Sequence, residues 1–327
     1  MSSIAELAQA LKSGDRRALA KAITLVESSR TTDRESAREL LGTLGSAPAT
    51  TFRIGVTGVP GAGKSTLIDV LGCHAILAGH RVAVLAVDPS SRQSGGSVLG
   101  DKTRMSRLAA EGAAYVRPSP TLGVLGGVAA RTREAISLCE AAGYDLIFVE
   151  TVGVGQSEEQ VASIVDCVLL VLLAGAGDEI SSMKRGILEA ADVIAFNKAD
   201  GERIASVVSD AAALRASLTV SHGERVPRVL SVSATEGVGV PELWDTLSAQ
   251  HAQAQSAGAF QQRRARQRKD WFDSALEEAL REAFARRPGV ELALRAAEAS
   301  VADGRISPDE AARRLVAAML PPAHDPT

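Results

Sequence analysis

The sequence predicts an α/β fold: a mostly parallel central sheet with a helical extension at each end. Two observations carry this. From Phe52 to about residue 240, short runs of β-favouring apolar residues alternate with helix-like stretches. Runs of that continuous kind are buried on both faces, which calls for helices above and below a parallel sheet. Outside this span the β-rich texture stops, and residues 3 to about 45 and those beyond 240 carry Ala- and Leu-rich helical patterns. The expected organisation is a helical extension over 1–48, an α/β domain over 49–250 and a helical region over 251–327.

The N-terminal helices are interrupted at Gly14 and at "SSRTTDRES", 28–36, a cluster of turn-favouring residues. Strands follow at 52–57 (FRIGVT), 81–87 (RVAVLAV), 145–150 (DLIFVE), 167–173 (CVLLVLL), 193–197 (VIAFN) and 228–233 (RVLSVS). "CVLLVLLAGAG" is the most apolar segment and is too short to span a bilayer, so it reads as a buried strand. Pro241 opens a helix, and the next carries Phe272, Leu276, Ala279, Leu280 and Ala283 at helical spacing. A third begins near 308, with Ser307 as N-cap and Pro308 at the first helical position. A long amphipathic helix near a chain end packs either on the α/β domain or on an oligomer partner.

Composition bounds the function classes. The 327 residues are 46% hydrophobic and 23% charged, with 3% aromatics, so the core is built from Val, Leu, Ile and Ala. A net charge of −3 gives no global attraction to nucleic acid or to an anionic membrane. The cysteines number 3, lie far apart and form no Cys-x-x-Cys. This fits a reducing cytoplasm and argues against a disulfide framework.

Gly58-Val59-Pro60-Gly61-Ala62-Gly63-Lys64-Ser65 fits G-x-x-x-x-G-K-[ST], with a strand before it and a helix after, so it reads as a phosphate-cradling P-loop. Glycines let backbone N–H groups, including those of Pro60's successors Gly61, Ala62 and Gly63 and on to Thr66, converge on phosphate oxygens at a helix N-terminus. Lys64 is expected to reach the β- and γ-phosphates, and the Ser65 hydroxyl to take a Mg²⁺ position. Asn197-Lys198-Ala199-Asp200 ends a later strand in the N-K-x-D pattern that reads guanine. A carboxylate at Asp200 accepts from both N1–H and the N2 amine, a pairing adenine cannot supply. Sites built on such polar pairing reject the wrong partner by roughly 10⁴ or more. Ser233-Ala234 supplies a loop whose backbone N–H faces guanine O6. GTP and GDP are therefore the expected nucleotides, with Mg²⁺.

Acidic groups follow two strands: Asp88 and Glu150. Mg²⁺ takes one or two carboxylates with waters and phosphates, so both are candidate metal residues with Ser65. Glu150-Thr151-Val152-Gly153 resembles the D-x-x-G switch with Glu for Asp, and Gly153 would donate its N–H to the γ-phosphate. Val154 follows that glycine and Gln156 lies further on, so no water-orienting Gln is assigned. Intrinsic hydrolysis is expected to be slow until a partner completes the site. The polar loop "SGGSVLGDKTRM", 94–105, offers Asp101 near the metal.

Taken together, "GVTGVPGAGKST", "VLAVDPSS", "GGSVLGDKTRM", "RPSPTLGVLGGVA", "VETVGVGQSE", "GAGDE" and "NKAD" resemble the MeaB/ArgK family, auxiliary GTPases of methylmalonyl-CoA mutase. The likeness is dense over about 50–240. It implies a P-loop NTPase fold, a homodimer formed through C-terminal helices, and a chaperone that gates cofactor loading of an adenosylcobalamin-dependent mutase and protects it from inactivation. By motif, it implies catalytic roles at Lys64, Asp101 and Glu150, and base recognition at Asn197, Lys198 and Asp200. "GAGDEISSMKRG", 175–186, resembles a third switch facing the mutase, with Asp178 and Lys184 as candidates for partner-induced activation.

Two other functions share parts of this pattern. Metal delivery, known in the same P-loop class, would need thiolate or imidazole ligands. Cys73-His74 sits on a helix pattern between Leu71 and Ile76, where core packing is the plainer reading. A small-molecule or protein kinase would need an acceptor pocket and base, and no local motif supplies them. The basic run "RRARQRK", 263–269, reads as a solvated helix face.

Overall fold

The structure, a computed structural model, describes residues 3–45, 50–88, 105–120, 125–151, 161–175, 185–221 and 226–319. In chain order it runs α1 (Ile4–Lys12), α2 (Arg16–Glu27), α3 (Thr31–Leu44), β1 (Phe52–Gly58), α4 (Lys64–Leu77), β2 (Val82–Asp88), α5 (Ser106–Ala110), β3 (Ala114–Pro120), α6 (Leu125–Ala141), β4 (Leu146–Thr151) and β5 (Cys167–Leu172). It continues with α7 (Arg185–Ala190), β6 (Val193–Phe196), α8 (Ile204–Ser221), β7 (Arg228–Ser231), α9 (Val240–Ser256), α10 (Ala259–Ala285), α11 (Val290–Ala302) and α12 (Pro308–Met319).

The strands form one 7-stranded sheet in the order β3-β2-β4-β1-β5-β6-β7. Every pairing is parallel. The α/β expectation therefore holds, in the P-loop NTPase form. Strands β4, β5 and β6 are buried along their whole length, as apolar runs covered on both faces must be. β1 lies between β4 and β5. The chain thus winds first to one side of β1 and then to the other, and the crevice beyond its C-terminal end is the switch point where ligands bind such sheets.

The helices close both faces. On one, Leu67, Ile68 and Leu71 of α4 pack with Val56, Phe148 and Leu169, joined by Leu243 and Leu247 of α9. On the other, Leu11, Leu19, Ile23 and Leu40 of α1–α3 pack with Ile136 of α6 and with Ile147 and Val149 of β4. A further cluster joins β5, β6 and β7 to α7 and α8. The N-terminal helices are firmly delimited. Ser3 and Glu6 form a reciprocal capping box, with Glu6 N donating to Ser3 Oγ at 3.2 Å and Ser3 N to Glu6 Oε2 at 3.0 Å. Asp15 Oδ1 accepts from Arg17 N at 2.7 Å.

Three sequence expectations are corrected. The break expected over 28–36 covers only 28–30, because α3 starts at Thr31. Ser28 Oγ donates to Asp33 Oδ2 at 2.6 Å, so the polar cluster forms a helix start rather than a loop. The strand β3 was not anticipated. After residue 240 there is also one helix more than expected, α11.

The chain divides after Arg264, within α10, into two compact units. In the second, α11 pairs with α12, and Ser307 caps α12 by accepting from Glu310 N at 3.3 Å. Among the described residues no helix is long and apolar enough to cross a membrane.

Candidate nucleotide site

The site is built where β1 stops. Gly58 has φ +137°, and a Cβ there would stand 1.9 Å from the Val171 carbonyl oxygen on β5, so the turn begins at a position only glycine fits. At Gly63, φ +83°, a Cβ would meet Asn197 Nδ2 at 2.6 Å. The turn from 59 to 63 is closed by Ala62 N donating to Val59 O at 3.2 Å, and α4 starts at Lys64. The buried Lys64 ammonium folds back over the turn and donates to Gly58 O at 2.9 Å and Val59 O at 3.1 Å. A cation set over the N-terminus of a helix makes a concentrated anion site.

Glu150, near the end of β4, reaches the same place. Ser65 Oγ donates to Glu150 Oε1 at 2.7 Å, and both side chains are buried. This hydroxyl–carboxylate pair is a hard-oxygen donor set beside the anion site, and its chemistry fits Mg²⁺. Below it, Thr151 Oγ1 donates to Thr57 Oγ1 at 3.0 Å, which ties β4 to β1.

Asn197 joins this region to a second one. It follows β6, is buried, and donates through Nδ2 to Ala62 O at 2.7 Å. Its Oδ1 accepts from Ala234 N at 3.1 Å. The N–H that the sequence offers to guanine O6 is therefore engaged by Asn197 here. Lys198 has φ +62°, which turns the chain so that Ala199 N can donate to Val232 O at 3.0 Å. Asp200 Oδ2 accepts from Ser233 Oγ at 2.9 Å and from Thr235 Oγ1 at 3.0 Å. These two hydroxyls, Ser233 first and then Thr235, hold the Asp200 carboxyl below the ordinary aspartate range.

Between these groups lies a cleft of about 220 Å³. Gly63 and Thr66 line it from the P-loop side. Asn197, Lys198, Asp200 and Arg203 line it after β6, and Ala234 and Thr235 after β7. The structure thus brings together Gly58, Pro60, Gly61, Ala62, Gly63, Lys64, Ser65 and Thr66 with Glu150, Asn197, Lys198, Asp200, Ser233 and Ala234 at one end of the sheet. Asp88 closes β2 at that same end, where Val87 pairs with Thr151. Asp101, Gly153, Asp178 and Lys184 lie outside the described residues. Sequence reasoning missed Arg203 and Thr235. A hydroxyl two residues past Ser233, on the same loop, was the available signal for Thr235.

Elsewhere, Cys73 is half-buried against the core, and burial pushes its thiol up. Among the described residues no group of three or more His, Cys, Asp or Glu side chains is arranged to hold a metal ion. The basic run is not wholly solvated. Arg264 is buried and grips Asp166 with two bonds, Nε to Oδ1 at 2.5 Å and Nη2 to Oδ2 at 2.6 Å, while Nη2 also donates to Thr51 O at 2.8 Å. Arg263 donates to the Asp166 carbonyl and pairs with Asp192 at 3.3 Å.

A family model described as methylmalonyl-CoA mutase-associated GTPase MeaB matches residues 19–288. A Mycobacterium tuberculosis protein named "Probable GTPase" is 48% identical over 313 residues, covering 95% of this chain and 93% of its own length. A mouse protein named "Methylmalonic aciduria type A homolog, mitochondrial" is 44% identical over 325 residues, covering 94% of this chain and 77% of its own. The crystal structure titled "LAO/AO transport system kinase" superposes with a TM-score of 0.72 at 35% identity, covering 96% of each chain.

Proposed function

The chain belongs to the MeaB family of GTPases, and from that premise we propose that it is a nucleotide-driven chaperone of adenosylcobalamin-dependent methylmalonyl-CoA mutase, gating cofactor loading and protecting the mutase from inactivation. It hydrolyses GTP and binds guanine nucleotide, as its family does. The observation that carries the finer reading is the family match over 19–288, whose description names the mutase. The 44% identity to the mouse methylmalonic aciduria type A homolog adds to it. Relatives named as GTPases favour neither metal delivery nor substrate phosphorylation.

In the proposed mechanism the triphosphate lies along the turn from Gly58 to Thr66, with Lys64 released from the Gly58 and Val59 carbonyls to the β- and γ-oxygens. Ser65 and Glu150 would hold Mg²⁺, and Asp88 and Asp101 are the further acidic candidates for it. The metal, when bound, neutralises charge on the transferring phosphoryl group. Lys64 does the same from the protein side, so hydrolysis proceeds by positioning and charge stabilisation rather than covalent chemistry. Asp200 reads the base, Lys198 lies along it, and Ser233 and Ala234 complete the loop around it. Gly153 senses the γ-phosphate, and Asp178 and Lys184 complete the site when the mutase docks, which makes intrinsic turnover slow and partner-stimulated. The output is the rearrangement of loops when the γ-phosphate leaves.

The protein works as a homodimer through its C-terminal helices. In support, Phe272, Leu276 and Leu280 recur every fourth residue on α10 and are 64%, 46% and 61% exposed within one chain. Such an apolar stripe favours a covering partner. The functional test is mutase inactivation during turnover, with and without this protein and GTP. Slower inactivation and a complex on a sizing column support the proposal. Equal inactivation and no complex reject it.

A further inference from the structure

We propose that Thr235 is a positioning residue for base recognition, its hydroxyl acting with that of Ser233 to fix the Asp200 carboxylate in the pose that reads guanine. This rests on the base-binding reading of the cleft given above.

Ser233 Oγ and Thr235 Oγ1 lie 3.1 Å apart, where either could donate to the other, but the carboxylate is the stronger acceptor for both. A hydroxyl has one proton. Ser233 Oγ accepts from Glu236 N at 3.2 Å and gives its proton to Asp200 Oδ2 at 2.9 Å. Thr235 gives its own to the same oxygen at 3.0 Å. Both donors come from one tight turn, closed by Gly237 N donating to Ser233 O at 2.8 Å. Two donors on one oxygen favour one orientation of the carboxylate, and among the described residues no group donates to Oδ1. Oδ1, with both lone pairs open, is left for the purine N1–H and N2 amine. Ser233 is fully buried, whereas Thr235 is exposed and lines the cleft. A base entering the cleft excludes water from the Thr235–Asp200 bond, so that bond strengthens when the nucleotide is in place.

The chemistry sets the consequence. A hydrogen bond to a charged group that orients a recognition carboxylate acts on the purine edge, not on the phosphates. Thr235→Val keeps the shape and removes the donor. Thr235→Ser keeps the donor.

The test measures dissociation constants for GDP and ADP in the wild type, Thr235→Val, Thr235→Ser and Asp200→Asn. In Thr235→Val, GDP binding is expected to weaken about tenfold while ADP binding is unchanged, with Thr235→Ser restoring most of the difference. An unaltered GDP-to-ADP ratio in Thr235→Val, equal weakening of both nucleotides, or failure of Ser to restore selectivity would overturn the assignment. A wild-type ratio in Asp200→Asn would show instead that the base is read elsewhere, and the role of Thr235 would fall with that reading.

Discussion

At the residue scale, the proposed phosphate role rests first on Lys64. Its ammonium is buried and held by the Gly58 and Val59 carbonyls at 2.9 and 3.1 Å. On the proposed mechanism, phosphate oxygens would replace two neutral acceptors and be the stronger partners of the cation. Lys64→Ala is expected to lower GTP hydrolysis by at least about 100-fold and to weaken GTP binding, read as phosphate release at saturating GTP. Turnover at the wild-type rate would contradict the phosphate role. Asn197 acts differently: it touches Ala62 and Ala234 at once and links the P-loop to the loop after β7. It was legible in the sequence because N-K-x-D has fixed spacing. The engagement of the Ala234 amide by Asn197 was not, since no pattern in one strand announces which N–H of another loop its side chain meets.

At the scale of elements, the ion-pair group around Asp166 anchors the start of α10. Asp166 is buried with both oxygens on Arg264, and Oδ2 also accepts from Arg53 N at 2.9 Å. Glu140 pairs with Arg53 at 2.7 Å and with Arg264 at 3.4 Å. Removing one partner strands a buried charge, so Arg264→Ala should cost about 3–5 kcal/mol of unfolding free energy by chemical denaturation. A loss below about 1 kcal/mol would show that the group is solvated after all. The sequence showed five cations between 263 and 269 but not which would be buried, because the counter-charges lie far away in the chain. Arg264 follows Phe260 by one helical turn, and both face the core. β3 was hidden for another reason. "AYVRPSP" holds Pro118 and Pro120, which lack the N–H a central strand requires. It survives because it is the edge of the sheet, bonded to β2 alone. The remaining strands were readable because burial on both faces demands unbroken apolar runs, and the structure moved their ends by only a residue or two.

At the scale of the whole molecule, the long helix α10 carries Phe272, Leu276 and Leu280 as an apolar stripe exposed within one chain. If that stripe holds two copies together, Phe272→Glu with Leu280→Glu should convert the dimer to a monomer in sedimentation velocity while guanine nucleotide binding persists. A dimer of unchanged stability would place the interface elsewhere. The central claim is that one crevice, at the switch point beyond β1, takes phosphates at Lys64 and guanine at Asp200. Its most direct test is a crystal structure grown with GDP and magnesium. The account predicts the diphosphate along the amides from Gly58 to Thr66, the metal on Ser65, and the purine edge on Asp200. Nucleotide density at another surface, with this crevice empty, would contradict it.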